Sequence, residues 1–185
     1  KVSVRVDVLP MFRAGPARTG VYDTGGENTI QGKPKWQFKT GHWVMTQAIT
    51  HNGVVYFGST DGNLYGLNLE TGKEIWRFET DDHIRSDPAI HNGVIYFGNK
   101  DDNLYSVDLE TGELRWKFAT GATIQSAPLV ADGIVYIGSD DTKVYAVDAT
   151  SGEEVWIFQT QDIVRSSPSL ANDTIYIGSF DKNLY

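Results

Sequence analysis

Cysteine is absent from the 185 residues, which excludes a disulfide framework, a zinc–thiolate site and a haem attached through paired thiols. The compartment stays open, because a large β-domain holds together without disulfides. Basic residues are in the minority, 16 against 24 acidic, and the formal net charge of −8 argues against a nucleic-acid partner. Phosphate binding needs a basic face, whereas here both signs are interspersed as on an ordinary solvated surface. No apolar run approaches the ~20 residues of a membrane span, so the chain is not expected to be membrane-spanning. The opening KVSVRVDVLPMFRAGPARTG also lacks the continuous apolar stretch of a signal peptide. An exported form is expected to have lost its leader or to carry it outside these residues. The helix formers Ala and Leu are scarce, while Val, Ile, Thr, Tyr, Trp and Gly abound, a bias toward strands and tight turns. With 40% apolar and 12% aromatic residues, the chain is too hydrophobic to be disordered.

What is present is a repeat. LETGKEIWRFET at 69–80 returns as LETGELRWKFAT at 109–120. Trp36, Trp76, Trp116 and Trp156 are spaced by 40 each time, as are Tyr56, Tyr96, Tyr136 and Tyr176. Asp61, Asp101, Asp141 and Asp181 keep the same stride, and so do Tyr65, Tyr105, Tyr145 and Tyr185. Gly32, Gly72, Gly112 and Gly152 each stand four residues before their Trp. A motif at a fixed interval is a building unit before it is a site.

Residues 86–120 show how one unit folds. SDPAIH meets Asn92-Gly93, a signal for a two-residue hairpin; VIYFGN runs to the polar cluster 100–103; LYSVDLE stops at Thr111-Gly112; LRWKFAT follows. The alternation within these segments buries one face of each strand. Four strands joined by tight turns make one antiparallel sheet, and a 40-residue unit of that kind predicts a blade of an all-β β-propeller. A β-solenoid fits less well, since its shorter coils need no three hairpins per repeat. The expected organisation is a lead-in segment over 1–32, then repeats over 33–185. These begin with an outer strand at 33–40, continue as units 41–80, 81–120 and 121–160, and finish with a partial unit at 161–185.

Packing explains the Trp. A Trp buries roughly 150–250 Å², and the Gly that precedes it lets the ring lie against bare backbone. On this reading Trp36, Trp76, Trp116 and Trp156, with Gly72, Gly112 and Gly152, dock each blade onto its neighbour. Trp116→Ala is then expected to destabilise the chain by about 3–5 kcal/mol. Asp108 and Asp148 are expected to accept hydrogen bonds from the turn donors at Thr111-Gly112 and Ser151-Gly152.

LYGLNLETGKEIW, LYSVDLETGELRW and VYAVDATSGEEVW resemble the tryptophan-docking repeat of pyrroloquinoline-quinone-type (PQQ-like) β-propellers, and MFRAGPARTGV is similar to the segment that often opens such domains. Departures are mild: Asn68 replaces the usual Asp, and Gly66 and Ser106 replace the usual Ala. The resemblance implies a propeller of about four blades, expected to be part of a larger ring of seven or eight. It also implies a periplasmic, cell-surface or secreted location. It does not imply an activity, because the family includes quinoprotein alcohol dehydrogenases, a propeller subunit of outer-membrane protein assembly, and extracytoplasmic sensor domains of membrane kinases.

Little chemistry is visible. In the family's enzymes a quinone sits beside calcium under paired cysteines, and this chain has none. Asp101-Asp102 and Asp140-Asp141 occupy turns without an EF-hand pattern and read as solvated turn residues. His42, His51, His83 and His91 fall in loops or turns. No nucleophile elbow, phosphate loop or zinc spacing occurs.

The connections after each outer strand are more informative: GHWVMTQA, DDHIRSDP, GATIQSAP and QDIVRSSP. In a propeller this segment delivers the chain to the central channel. Nine residues after each Trp stand Met45, Arg85, Gln125 and Arg165, and two further on stand Gln47, Asp87, Ala127 and Ser167. Period two sets both positions on one side. Arg85, Asp87, Gln125 and Arg165 are therefore the candidate ligand-binding residues, lining a channel mouth suited to an anionic or hydrogen-bonding ligand. The function expected is a non-catalytic scaffold for a protein partner or small anionic ligand, without catalytic residues, metal or cofactor. One alternative is a fragment of a quinoprotein dehydrogenase holding PQQ and calcium; another is a sensor domain. A closed four-blade ring is arithmetically possible, and an incomplete ring is expected to form a homodimer.

Overall fold

The computed structural model describes residues 33–185. The lead-in over 1–32, with its family-like opening segment and Gly32, lies outside the described residues. Fourteen strands follow, and no helix is present among the described residues. Blade 1 comprises β1 (Ile49–His51), β2 (Val54–Gly58), β3 (Asn63–Asn68) and β4 (Glu74–Glu79). Blade 2 comprises β5 (Ala89–His91), β6 (Val94–Gly98), β7 (Asn103–Asp108) and β8 (Leu114–Ala119). Blade 3 holds β9 (Leu129–Ala131), β10 (Ile134–Gly138), β11 (Lys143–Asp148) and β12 (Glu154–Gln159). The fourth sheet has β13 (Ser169–Ala171) and β14 (Thr174–Tyr176), with an isolated bridge from Gly178 to Leu184.

Each complete sheet is an antiparallel meander in chain order, as the turn signals require. At Asn92-Gly93 both residues have positive φ, 48° and 74°, which twists a two-residue hairpin in the sense its strands need. The outermost pairing carries a bulge in every complete blade, after Gly66, Ser106 and Ala146. These residues sit opposite Trp76, Trp116 and Trp156, so the bulge re-aims the outer strand beside its indole. Residues 33–40 form no ladder, although Trp36 and Phe38 dock on blade 1 as outer-strand residues do.

The cores lie between sheets. One cluster joins Ile49, Tyr56 and Leu64 of blade 1 to Ile84, Ile95, Phe97 and Tyr105 of blade 2. A second joins Tyr96 and Leu104 to Ile124, Val135, Ile137 and Tyr145. Face-to-face burial of this kind stabilises by ~1.5–3 kcal/mol for each large side chain removed from water. The innermost strands β5 and β9 are neighbours, so the sheets radiate from a common side.

The Trp rings lie on glycine, but not on the one four residues before them. Trp36 packs on Gly72, Trp76 on Gly112 and Trp116 on Gly152, in each case the Gly of the following blade. A Cβ there would come within 2.5–2.7 Å of the ring. The indole N–H of Trp36 donates to the Leu69 carbonyl at 2.9 Å, and that of Trp116 to the Ala149 carbonyl at 3.1 Å. Trp156 remains 39% exposed.

A second interblade device uses the repeated Asp. The Asp61 carboxylate accepts from the Tyr65 hydroxyl at 2.8 Å and the Gly41 amide at 2.7 Å. Burial pushes this carboxyl up, but hydrogen bonds from Asn63, Tyr65 and Gly41 outweigh it and hold the group below its ordinary range. Asp101 accepts from Tyr105 at 2.7 Å, and Asp181 from Tyr185 at 2.8 Å and the Gln161 amide at 2.9 Å. These aspartates are bonded members of the fold, a fuller role than solvated turn residues. Asp108 and Asp148 cap their turns as expected, accepting from the amides of Thr111 and Ser151.

Candidate functional site

The connections between blades carry the candidate residues, and an apolar plug anchors each connection. Ile84, Ile124 and Val164 are fully buried. They fill the space above Gly58, Gly98 and Gly138, where a Cβ would lie only 2.1–2.3 Å from them. The next residue along is turned away from the plug, and that residue is Arg85, Gln125 or Arg165.

Adjacent connections are tied by bonds across one full repeat. The Gln47 amide donates to Asp87 Oδ1 at 2.7 Å, the Ser86 hydroxyl to the Ser126 carbonyl at 2.8 Å, and the Ala127 amide to Ser167 Oγ at 3.0 Å. Asp87 therefore has a structural bond to the neighbouring blade. Gln125 and Arg165 converge on Asp140: Arg165 donates from Nε at 2.9 Å and from Nη2 at 2.7 Å, and Gln125 Nε2 donates at 3.5 Å. The Asp140 carboxylate raises the Arg165 guanidinium above its already high value. The same guanidinium stands 5.7 Å from the Phe180 ring centroid.

Arg85 differs. Its Nε is buried and has no hydrogen-bond partner among the described residues. The repeat explains why. Asp140 stands 25 residues before Arg165, and the residue 25 before Arg85 is Thr60. Thr60 brings no carboxylate and is already bonded to His42 Nδ1 and the Trp43 carbonyl.

Sequence reasoning missed Asp140, reading it as a solvated turn residue. The available signal was its departure from the repeat: Thr60, Lys100, Asp140 and Phe180 occupy one repeat position with four different chemistries. Met45, at the first candidate position, is 56% exposed beside Trp43 and Val44. His42 and His83 stack with ring centroids 6.0 Å apart. Among the described residues no three His, Asp or Glu side chains converge as a metal site requires. Calcium beside a quinone needs free carboxylate oxygens, and both Asp140 oxygens already accept from Arg165. Asp140 is therefore not free to hold that pair. No helix long and apolar enough to cross a membrane occurs among the described residues.

Solved structures with this architecture include BamB from Moraxella catarrhalis, at 21% identity and a TM-score of 0.72, over 81% of this chain and 48% of that one. A quinohemoprotein alcohol dehydrogenase from Pseudomonas putida HK5 aligns at 22% identity and a TM-score of 0.68, over 78% of this chain and 29% of that one. The computationally designed Ika4 protein aligns at 15% identity and a TM-score of 0.75, over 84% of this chain and 97% of that one. At these identities the likeness is one of fold. The chain spans about half the length of the BamB structure and less than a third of the dehydrogenase. No curated protein matches significantly. At the level of sequence, the family described as Outer membrane protein assembly factor BamB matches residues 23–109 and 60–185. These matches span most of the forty-residue repeats, and the chain belongs to that PQQ-like propeller family.

Proposed function

We propose that the chain is a non-catalytic, extracytoplasmic propeller scaffold that binds a protein partner or anionic ligand at its channel mouth. The observation that supports this most is Arg85, whose buried Nε lacks the carboxylate that its repeat-equivalent Arg165 has in Asp140. A carboxylate from outside the chain would fill that role, since a guanidinium pairs with one in a planar, two-bond fashion. Most of the repeated Trp, Gly, Asp and Tyr residues among the described ones have packing or bonding roles within the fold. Among the variable polar residues of the connections, Arg85 has a buried Nε without a partner among the described residues. Membership in a family described as an outer-membrane protein assembly factor supports a protein partner and an outer-membrane-associated location. A sensor domain draws no support from the comparisons.

Calorimetric titration with a glutamate-rich peptide tests the reading. Binding is expected with the wild type and is expected to be lost when Arg85→Ala and Arg165→Ala are combined. Binding that survives both removes the mouth as the site. Addition of pyrroloquinoline quinone with calcium separates the dehydrogenase alternative, which requires bound-quinone absorbance; a scaffold gives none.

A further inference from the structure

In each complete blade the second turn and the connection lie at one end of the sheet, and the first hairpin and third turn lie at the other. At that other end, the residue before each docking Trp meets the turn of the following blade. Lys35, before Trp36, forms an ion pair with Glu70. Arg115, before Trp116, bonds the Asp108 carboxylate at 2.7 Å. Between these two cations the repeat places Ile75, before Trp76 and 52% exposed. Glu110 is the repeat equivalent of Glu70, and its exposed carboxylate forms no ion pair among the described residues. One interface therefore keeps the anion and has lost the cation.

Two further features set the interface of blades 1 and 2 apart. A groove of about 220 Å³ opens there, with Val54, Tyr56, Ile75 and Trp76 on one wall and Glu110 on the other. The indole N–H groups of Trp36 and Trp116 donate to the Leu69 and Ala149 carbonyls. The equivalent Leu109 carbonyl accepts from the Tyr56 hydroxyl at 3.3 Å, while the Trp76 N–H donates to nothing among the described residues. The tyrosines register the change of charge. Burial raises the Tyr96 phenol and the Arg115 cation opposes that rise, whereas burial pushes Tyr56 up to about 12 with Glu110 adding to it.

We propose that this groove binds one lysine or arginine side chain of a basic peptide. The alkyl stem lies along Val54, Ile75 and Trp76, the cation pairs with Glu110, and a peptide carbonyl accepts from the Trp76 indole N–H. Charge complementarity selects this occupant, since the partner's cation stands where Lys35 stands in the preceding interface. The apolar wall suits the stem, because long basic side chains bury their methylenes and keep the charged head at the rim. The size fits as well: pockets for drug-sized ligands run from about 300 to 1,000 Å³, and this one is smaller. The site lies at the end of the blades opposite Arg85 and prefers the opposite charge, so it stands independently of the channel mouth.

Nuclear magnetic resonance titration of the isotope-labelled 185-residue chain with a blocked Gly-Lys-Gly peptide tests this at the indole N–H signals. The Trp76 signal is expected to move, those of Trp36 and Trp116 to stay, and a blocked Gly-Glu-Gly peptide to move none of them. Glu110→Gln is expected to weaken binding about fivefold. Ile75→Lys is expected to abolish it, because the new ammonium reaches Glu110 as Lys35 reaches Glu70. Both positions are exposed, so each variant should keep the wild-type circular dichroism spectrum. Glu70→Gln and Arg85→Ala are expected to leave the Kd unchanged. A Trp76 signal that stays still overturns the proposal, as does equal movement with the glutamate peptide. Weakening by Glu70→Gln as large as that by Glu110→Gln would also overturn it, in favour of general attraction to an acidic chain.

Discussion

Gly112 stands 36 residues after Trp76, and a Cβ on it would lie 2.7 Å from the indole Cδ2 and Cε3 atoms. Its φ of +73° adds a second reason for glycine, since an L side chain is strained there. Gly93 separates the two reasons: its φ is +74°, yet nothing lies within 4 Å of its Cβ position. Gly93→Ala is therefore expected to lose only the backbone term, about 1–2 kcal/mol. Gly112→Ala must also displace a Trp, which adds about 1–3 kcal/mol of overpacking. Urea unfolding of both variants checks the order; equal losses would remove the ring contact as a cause.

Tyr105→Phe removes one hydroxyl from an Asp–Tyr bond within blade 2. That hydroxyl donates to the Asp101 carboxylate at 2.7 Å from a buried tyrosine. Burial, then the bond to Asp101, raise the phenol well above its ordinary value, so it stays protonated and donating. A hydrogen bond to a charged group is worth about 1.5–3 kcal/mol, and a loss of that size is expected in chemical denaturation. A change near zero would mean that Asp101 finds its partner in water.

Acid should weaken the fold through the turn caps. The Arg115 side chain, followed by the Thr111 amide, holds the Asp108 carboxyl down at about 2. In the unfolded chain the same carboxyl has an ordinary value near ~3.9. The unfolded state thus binds a proton more readily, and the cap's contribution is full above that value and lost as pH falls toward about 2. Melting temperatures recorded across this window should drop more steeply for wild type than for Asp108→Asn. Parallel curves would show that Asp108 does not contribute.

For the Arg165–Asp140 pair, stability and the proposed binding are expected to part. The Arg165–Asp140 pair has an arginine side chain 42% exposed, so its loss in Arg165→Ala should change stability by less than about 1 kcal/mol. Peptide titration should nevertheless weaken. A large fall in melting temperature would assign Arg165 to the fold.

The strands were legible because the Asn-Gly and Thr-Gly turn signals act over a few residues. The one-face burial expected of each strand does not hold in β7, where Leu104, Tyr105, Ser106 and Val107 are all buried because the middle strands have a blade on either side. The blade interfaces were legible only in part. The stride of the Trp series marked the indoles as docking groups, but a periodic series does not say which copy of Gly receives which ring. The four-residue spacing pointed to the wrong one; the receiving Gly is set by how far the chain travels before the next blade turns back. Asp140 stayed hidden for a related reason. Its bond to Arg165 depends on a turn of one blade facing the connection of the next, and no local pattern encodes that meeting. The resemblance supplied the propeller, whereas residues 33–40 read as a strand and carry no ladder.

A double-mutant cycle on Trp116 and Gly152 most directly tests whether indoles seated on the next blade's glycine hold the sheets together. Trp116 is only partly buried, so Trp116→Ala is expected near the lower end of the usual loss, about 3 kcal/mol. With the ring gone, Gly152→Ala should cost less than it does in the wild type, giving a coupling of about 1–2 kcal/mol. Losses that add within about 0.5 kcal/mol would mean that the two residues act independently and that something else joins the blades.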